Sequence, residues 1–144
     1  MLKQLLLGLG LMAGCVVIHA TGMASALRRL RRQAGVSRRV WGLCWLFIRL
    51  ASLMILLHLA EITVWALVYV WRGAMSDLAS ALYFSAVTYT TTGYGDLVLP
   101  ADWRLIGAVE ALTGILMCGW STGFFFAIVS RVFESKTTVS VQTS

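Results

Sequence analysis

ALYFSAVTYTTTGYGD, residues 81–96, decides how the rest of the chain is read. Its first part is mostly apolar. Its end, TTTGYGD at residues 90–96, carries two glycines two apart and does not continue a helix. The apolar run at residues 76–89 is too short to cross a hydrocarbon core of ~30 Å, which takes ~20 helical residues. Ser76 is the expected N-cap, and Asp77 suits the positive end of the helix dipole. A short apolar helix feeding irregular backbone fits a re-entrant segment. At membrane depth such backbone is tolerated only where protein surrounds it or it lines a water path.

Long apolar segments flank this stretch. Residues 41–71 and 104–130 are each long enough to span, and residues 1–27 form a further candidate span ahead of them. Trp41 and Trp45 at one end of the second segment, and Trp65 and Trp71 toward the other, fit interfacial aromatic belts. The 144-residue chain is 59% hydrophobic and 12% charged, with a mean hydropathy of +0.82. Six acids and twelve bases cannot coat a soluble shell of this size. The expected fold is therefore all-α and integral to the membrane, with three transmembrane helices and one re-entrant helix.

The net charge of +6 is concentrated in the arginines of residues 28–39. Beside spans, such a patch sets topology and meets anionic lipid rather than nucleic acid. Residues 28–40 are expected to form a cytoplasmic loop. The N-terminus then lies outside, and a short tail at residues 132–144 lies in the cytoplasm. Residues 1–14 also resemble a signal peptide, with Lys3 before a leucine-rich run. Cleavage there would leave the arginines outside, against the charge rule, so an uncut span is expected. Cys15, Cys44 and Cys118 sit in apolar stretches without a CxxC pattern. They read as small core hydrophobes, with no disulfide framework or zinc site implied.

Residues 41–131 resemble the pore domain of tetrameric potassium channels. The nearest comparison is with the simple bacterial two-span channels and the bacterial inward-rectifier relatives. ALYFSAVTYTTTGYGD is similar to their pore helix and selectivity filter. STGFFFAIVSR, residues 121–131, is similar to the inner-helix end of the inward-rectifier relatives. The resemblance implies an outer helix at 41–71, a pore helix at 76–89, a filter at 91–96 and an inner helix at 104–130. It implies a homotetramer of C4 symmetry that conducts K+ passively through a cell membrane, with a bacterial inner membrane the expected one. Residues 1–27 lie outside the resemblance, as an extra N-terminal transmembrane helix.

The chemistry can be stated from the residues themselves. A dehydrated potassium ion needs other oxygens in place of its water, and backbone carbonyls supply them if successive residues aim along one axis. The carbonyls of Thr91, Thr92, Gly93 and Tyr94, with the Thr91 hydroxyl, are the expected K+ ligands. Gly93 and Gly95 permit the backbone angles this needs. The Tyr94 side chain should pack behind the filter. One such strand per chain calls for four chains. No cofactor is expected beyond the K+ ions in the filter, and the expected partners are further copies of the chain and membrane lipids.

Two positions depart from many relatives. Thr92 stands where they have valine, and Val87 where some carry a glutamate that pairs with the aspartate after GYG. Asp96 is therefore expected to find the Tyr83 hydroxyl, and filter inactivation through a carboxylate pair is expected to be absent. In the last span, Gly114 matches the relatives' hinge glycine, with close helix packing as the other reading. Ile115, Cys118, Thr122 and Phe126 share one helix face. By the resemblance this face lines the cavity, with Phe126 as its constriction and Phe125 next. The other reading has these phenylalanines facing lipid.

Ionisable residues inside spans are functional candidates by default. His58, Glu61 and Glu110 fall in the outer half of their segments. They form either a pH-sensing cluster behind the filter or hydrogen bonds that hold the spans to the pore helix through Thr88 or Tyr89. No span carries arginine at every third position, so no voltage sensor is expected. No nucleophile, metal or phosphate motif supports catalysis. The alternatives to a potassium channel are a weakly selective monovalent-cation channel and a non-conducting membrane subunit.

Overall fold

The computed structural model describes residues 2–32 and 40–141, with side chains described at residues 2–30 and 40–131. Its elements are all helical: α1 (Leu2–Arg32), α2 (Val40–Trp71), α3 (Leu78–Tyr89), a single 3-10 turn (Ala101–Trp103) and α4 (Arg104–Val141). Three stretches, Leu2–Leu30, Val40–Trp71 and Ala101–Arg131, are long and apolar enough to cross a membrane. The chain is a multi-pass membrane protein, with the short α3 set between its second and third spans.

The helix ends differ from expectation in three places. The N-cap of α3 is Asp77 rather than Ser76, and its Oδ1 accepts from the Ser80 N–H at 2.8 Å. Ser76 instead donates to Asp77 Oδ2 at 3.2 Å. A carboxylate both satisfies an orphan N–H and complements the dipole, and these N–H bonds hold Asp77 below the usual carboxylate range. At the other two ends, helices continue where a loop and a tail were expected. Arg28, Arg29, Arg31 and Arg32 belong to α1, because arginine is a good helix former and no glycine or proline lies between Arg28 and Gly35. Likewise α4 runs through residues 132–141, where no glycine or proline stops it. Residues 33–39 of the expected loop and 142–144 of the expected tail lie outside the described residues.

α3 lies between α2 and α4, and α1 packs against both long helices. The main core gathers Trp65 and Tyr69 of α2, Phe84 and Tyr89 of α3, Ile106 and Met117 of α4, and Cys15 of α1. Trp65 is thus fully buried rather than interfacial, whereas Trp41, Trp45 and Trp71 stay exposed. A second cluster toward the other end joins Leu46, Leu50 and Ile128, with the Phe47 and Phe125 rings 5.7 Å apart beside it. Where α4 passes the end of α3, Gly114 lies directly against the Tyr89 carbonyl oxygen, and a methyl group there would overlap it. Of the two readings of Gly114, this contact is the close helix packing that the second one describes.

Candidate functional site

The site begins where α3 stops. Thr90 caps the helix in a right-handed conformation, φ −78° and ψ 0°, and its hydroxyl donates to the Ala86 carbonyl at 2.7 Å. The next amides turn back into the helix end. Thr91 N–H donates to Thr88 O at 2.9 Å, and Thr92 and Gly93 N–H share Val87 O at 2.9 and 3.2 Å. The Thr92 hydroxyl meets that of Thr90 at 2.9 Å, so this side chain does face the helix end.

Beyond that point every second residue is left-handed: Thr91 at φ 59°, Gly93 at 58° and Gly95 at 76°. In a strand of uniform hand, successive carbonyls alternate sides. Alternation of left-handed and right-handed or extended residues cancels that alternation and brings successive carbonyls to one side. Glycine adopts such angles freely, while Thr91 bears a cost of about 1–2 kcal/mol as an L-residue. The amides of residues 91–93 are occupied on the helix side, and residues 90–98 are exposed. A row of aligned carbonyl oxygens suits a weakly hydrated cation.

The Tyr94 ring is 72% exposed on the single chain. A cavity of about 200 Å³ is lined by Tyr83, Val87, Gly93, Gly95 and Asp96 among others. Across its mouth the Tyr83 hydroxyl donates to Asp96 Oδ2 at 2.6 Å. That bond holds Asp96 below the usual carboxylate range and pushes the Tyr83 phenol up. The Leu97 N–H adds a bond to Asp96 Oδ1 at 3.0 Å.

On α4, Ile115, Cys118, Thr122 and Phe126 all lie exposed along one face. Phe125 packs onto Phe47 of α2, with the ring centroids 5.7 Å apart. Cys44 and Cys118 are exposed, and only Cys15 is the buried hydrophobe expected of all three.

The structure sets Glu110 apart from His58 and Glu61, and these two bond Tyr89 at the end of α3, as the second reading describes. Glu110 is buried and accepts from the Tyr69 hydroxyl at 2.7 Å, with Ser85 of α3 beside it. Glu61 instead meets His19 Nδ1 at 2.8 Å and accepts from the Tyr89 hydroxyl. His58 reaches Tyr89 and Ser121, each at 3.2 Å. Sequence reasoning missed His19 and Ser121. The one available signal was a histidine inside an apolar span.

The sequence model of a family described as "Ion channel" matches residues 53–131. That range takes in most of α2, all of α3, the 90–96 segment and α4 through Arg131. Over 133 residues the chain is 34% identical to a curated relative, the potassium-transporting ATPase potassium-binding subunit of Methylorubrum extorquens (strain PA1). The match takes in 92% of this chain but 21% of the relative, so the chain spans about a fifth of that protein's length. No solved structure matches it significantly.

Proposed function

The chain belongs to this ion-channel family, and from that premise we propose that four copies form a potassium-selective channel conducting passively down the electrochemical gradient. The family is one of channels and not of enzymes. The observation that carries the reading is the alternating hand of residues 91–95, and on our reading the carbonyls of Thr91, Thr92, Gly93 and Tyr94 share one exposed side. One strand offers oxygens on one side of an ion, so a ring of four completes the coordination. Asp96 and Tyr83 brace the outer end of the filter. Ile115, Cys118, Thr122 and Phe126 line the water-filled cavity below it, with Phe126 narrowest. The exposed Tyr94 ring packs against the neighbouring copy. The arginines at the end of α1 lie in the cytoplasm, which puts the N-terminus outside and the end of α4 inside a cell membrane.

A second reading has an observation of its own. The relative named as a potassium-binding subunit matches nearly the whole chain, including α1, which the family match leaves out. On that reading the chain binds potassium as one subunit of a larger transporter and does not conduct alone. Reconstitution separates the readings. Liposomes holding only this protein, purified as a tetramer, are expected to release potassium and retain sodium, with barium blocking the flux. Equal release of sodium would favour a weakly selective cation channel. No flux from a verified tetramer would favour the subunit.

A further inference from the structure

The polar groups behind the end of α3 close on themselves. Glu61 Oε1 meets His19 Nδ1 at 2.8 Å, and His19 Nε2 meets Ser121 Oγ at 2.9 Å. Ser121 Oγ meets His58 Nε2 at 3.2 Å, and His58 Nδ1 meets the Tyr89 hydroxyl at 3.2 Å. The Tyr89 hydroxyl returns to Glu61 Oε2. Five side chains thus make a ring of five links drawn from α1, α2, α3 and α4. His19, Glu61 and Ser121 are buried, and the two imidazoles lie with centroids 5.2 Å apart.

Hydrogen counting shows what the ring lacks. Each link needs one hydrogen between its two heavy atoms. Neutral histidine, serine and tyrosine each bring one, and an ionised glutamate brings none. Two histidines, one serine and one tyrosine therefore leave one of the five links as two lone pairs facing each other. The same state places a net negative charge at Glu61, which is fully buried and whose ion-pairing partners are the two histidines. One more proton removes both defects. With His58 doubly protonated, it donates to Tyr89 and Ser121, Ser121 donates to His19, His19 and Tyr89 donate to Glu61, and the ring is neutral. The longest links, both 3.2 Å, are the two made by His58.

We propose that His19, His58, Glu61, Tyr89 and Ser121 form a buried binding site for one proton. Its occupancy decides whether all four helices are tied together behind residues 90–96. Both nitrogens of both imidazoles are already engaged by neighbouring side chains, which favours a proton over a metal ion as the cation bound. The other titratable groups facing the ring are Cys15 of α1 and Cys118 of α4, with Glu110 of α4 near Cys15. None of them makes a link in it. Any effect of this proton on conduction rests on the channel reading above, but the site itself does not.

The chain has only two histidines, so a full-length sample labelled with nitrogen-15 on the imidazoles reports the ring without interference. In detergent at low pH, one ring should carry hydrogen on both nitrogens and the other on Nδ1 alone. Raising the pH should remove one hydrogen in a single step, from one ring only. Glu61→Gln supplies the missing hydrogen covalently through its amide, so both rings should then stay neutral from acid to base. Thermal melts should follow the same logic, with wild type losing stability above the step and Glu61→Gln keeping one melting temperature throughout. Two neutral rings at every pH in wild type, or a Glu61→Gln variant that titrates like wild type, would overturn the proposal. So would imidazole spectra that change on adding a chelator at fixed pH, since a metal would then hold the site. If Glu61→Gln does not fold, Ser121→Ala gives the second arm. It cuts the two Ser121 links, and the wild-type step should shift by at least tenfold in proton affinity. An unshifted step would equally overturn the proposal.

Discussion

Tyr83 and Asp96 meet across thirteen residues at 2.6 Å, a pair that the resemblance suggested through the valine at position 87. The bond holds the Asp96 carboxyl below its ordinary range, so its contribution is complete at neutral pH. It is lost as the pH falls through that lowered value. Replacing Tyr83 by Phe removes the donor, and the Asp96 titration, followed by carbon-13 NMR of the carboxyl, should move to higher pH. An Asp96 titration that does not move would show that the backbone N–H of Leu97 sets it instead. The pair Glu61 and His19 stands 42 residues apart, on different spans. No local periodicity links them, so the sequence offered Glu61 His58 on its own helix and Thr88 or Tyr89 on the short one, but not His19. Glu110 was grouped with Glu61 for the same reason, since burial depth along a helix was legible but the side it faces was not.

The elements were more legible than their contacts. Three long apolar runs and one short one are set by length against bilayer thickness, and the structure returns them as α1, α2, α4 and α3. Helix ends were less so, because arginine and the polar residues after Val129 carry no stop signal. Gly114 is the instructive case at this scale. As a glycine in a membrane helix it reads equally as a bend or as a place of close approach, and only the path of α3 shows the second. The Tyr89 carbonyl lies against it, so Gly114→Ala should push α4 away from α3. Overpacking of this kind costs ~1–3 kcal/mol, to be read as a lower midpoint in denaturant titration of the detergent-solubilised protein. A variant as stable as wild type would mean that the two helices separate easily.

Across the whole molecule, the surfaces that need a partner are those that lie exposed on a single chain. The Tyr94 ring and the face of Ile115, Cys118, Thr122 and Phe126 are apolar or nearly so, yet uncovered. In the proposed tetramer the first packs between subunits and the second borders water. Cys118 then becomes a probe of the cavity, and Cys44, also exposed but on α2, its control. A positively charged thiol reagent should reduce potassium flux through wild type by tenfold or more. Cys118→Ser should abolish that block, and Cys44→Ser should leave it intact. A block that survives Cys118→Ser would place this face against lipid instead. The closed ring of side chains carries a last consequence, for descent rather than for a single molecule. A circuit of donors and acceptors tolerates few lone replacements, because a change that removes a donor or an acceptor, unlike Glu61→Gln, strands two neighbours. Among homologous chains, positions 19, 58, 61, 89 and 121 should therefore vary in concert, and lineages that shed the first helix should have swapped out the other four together.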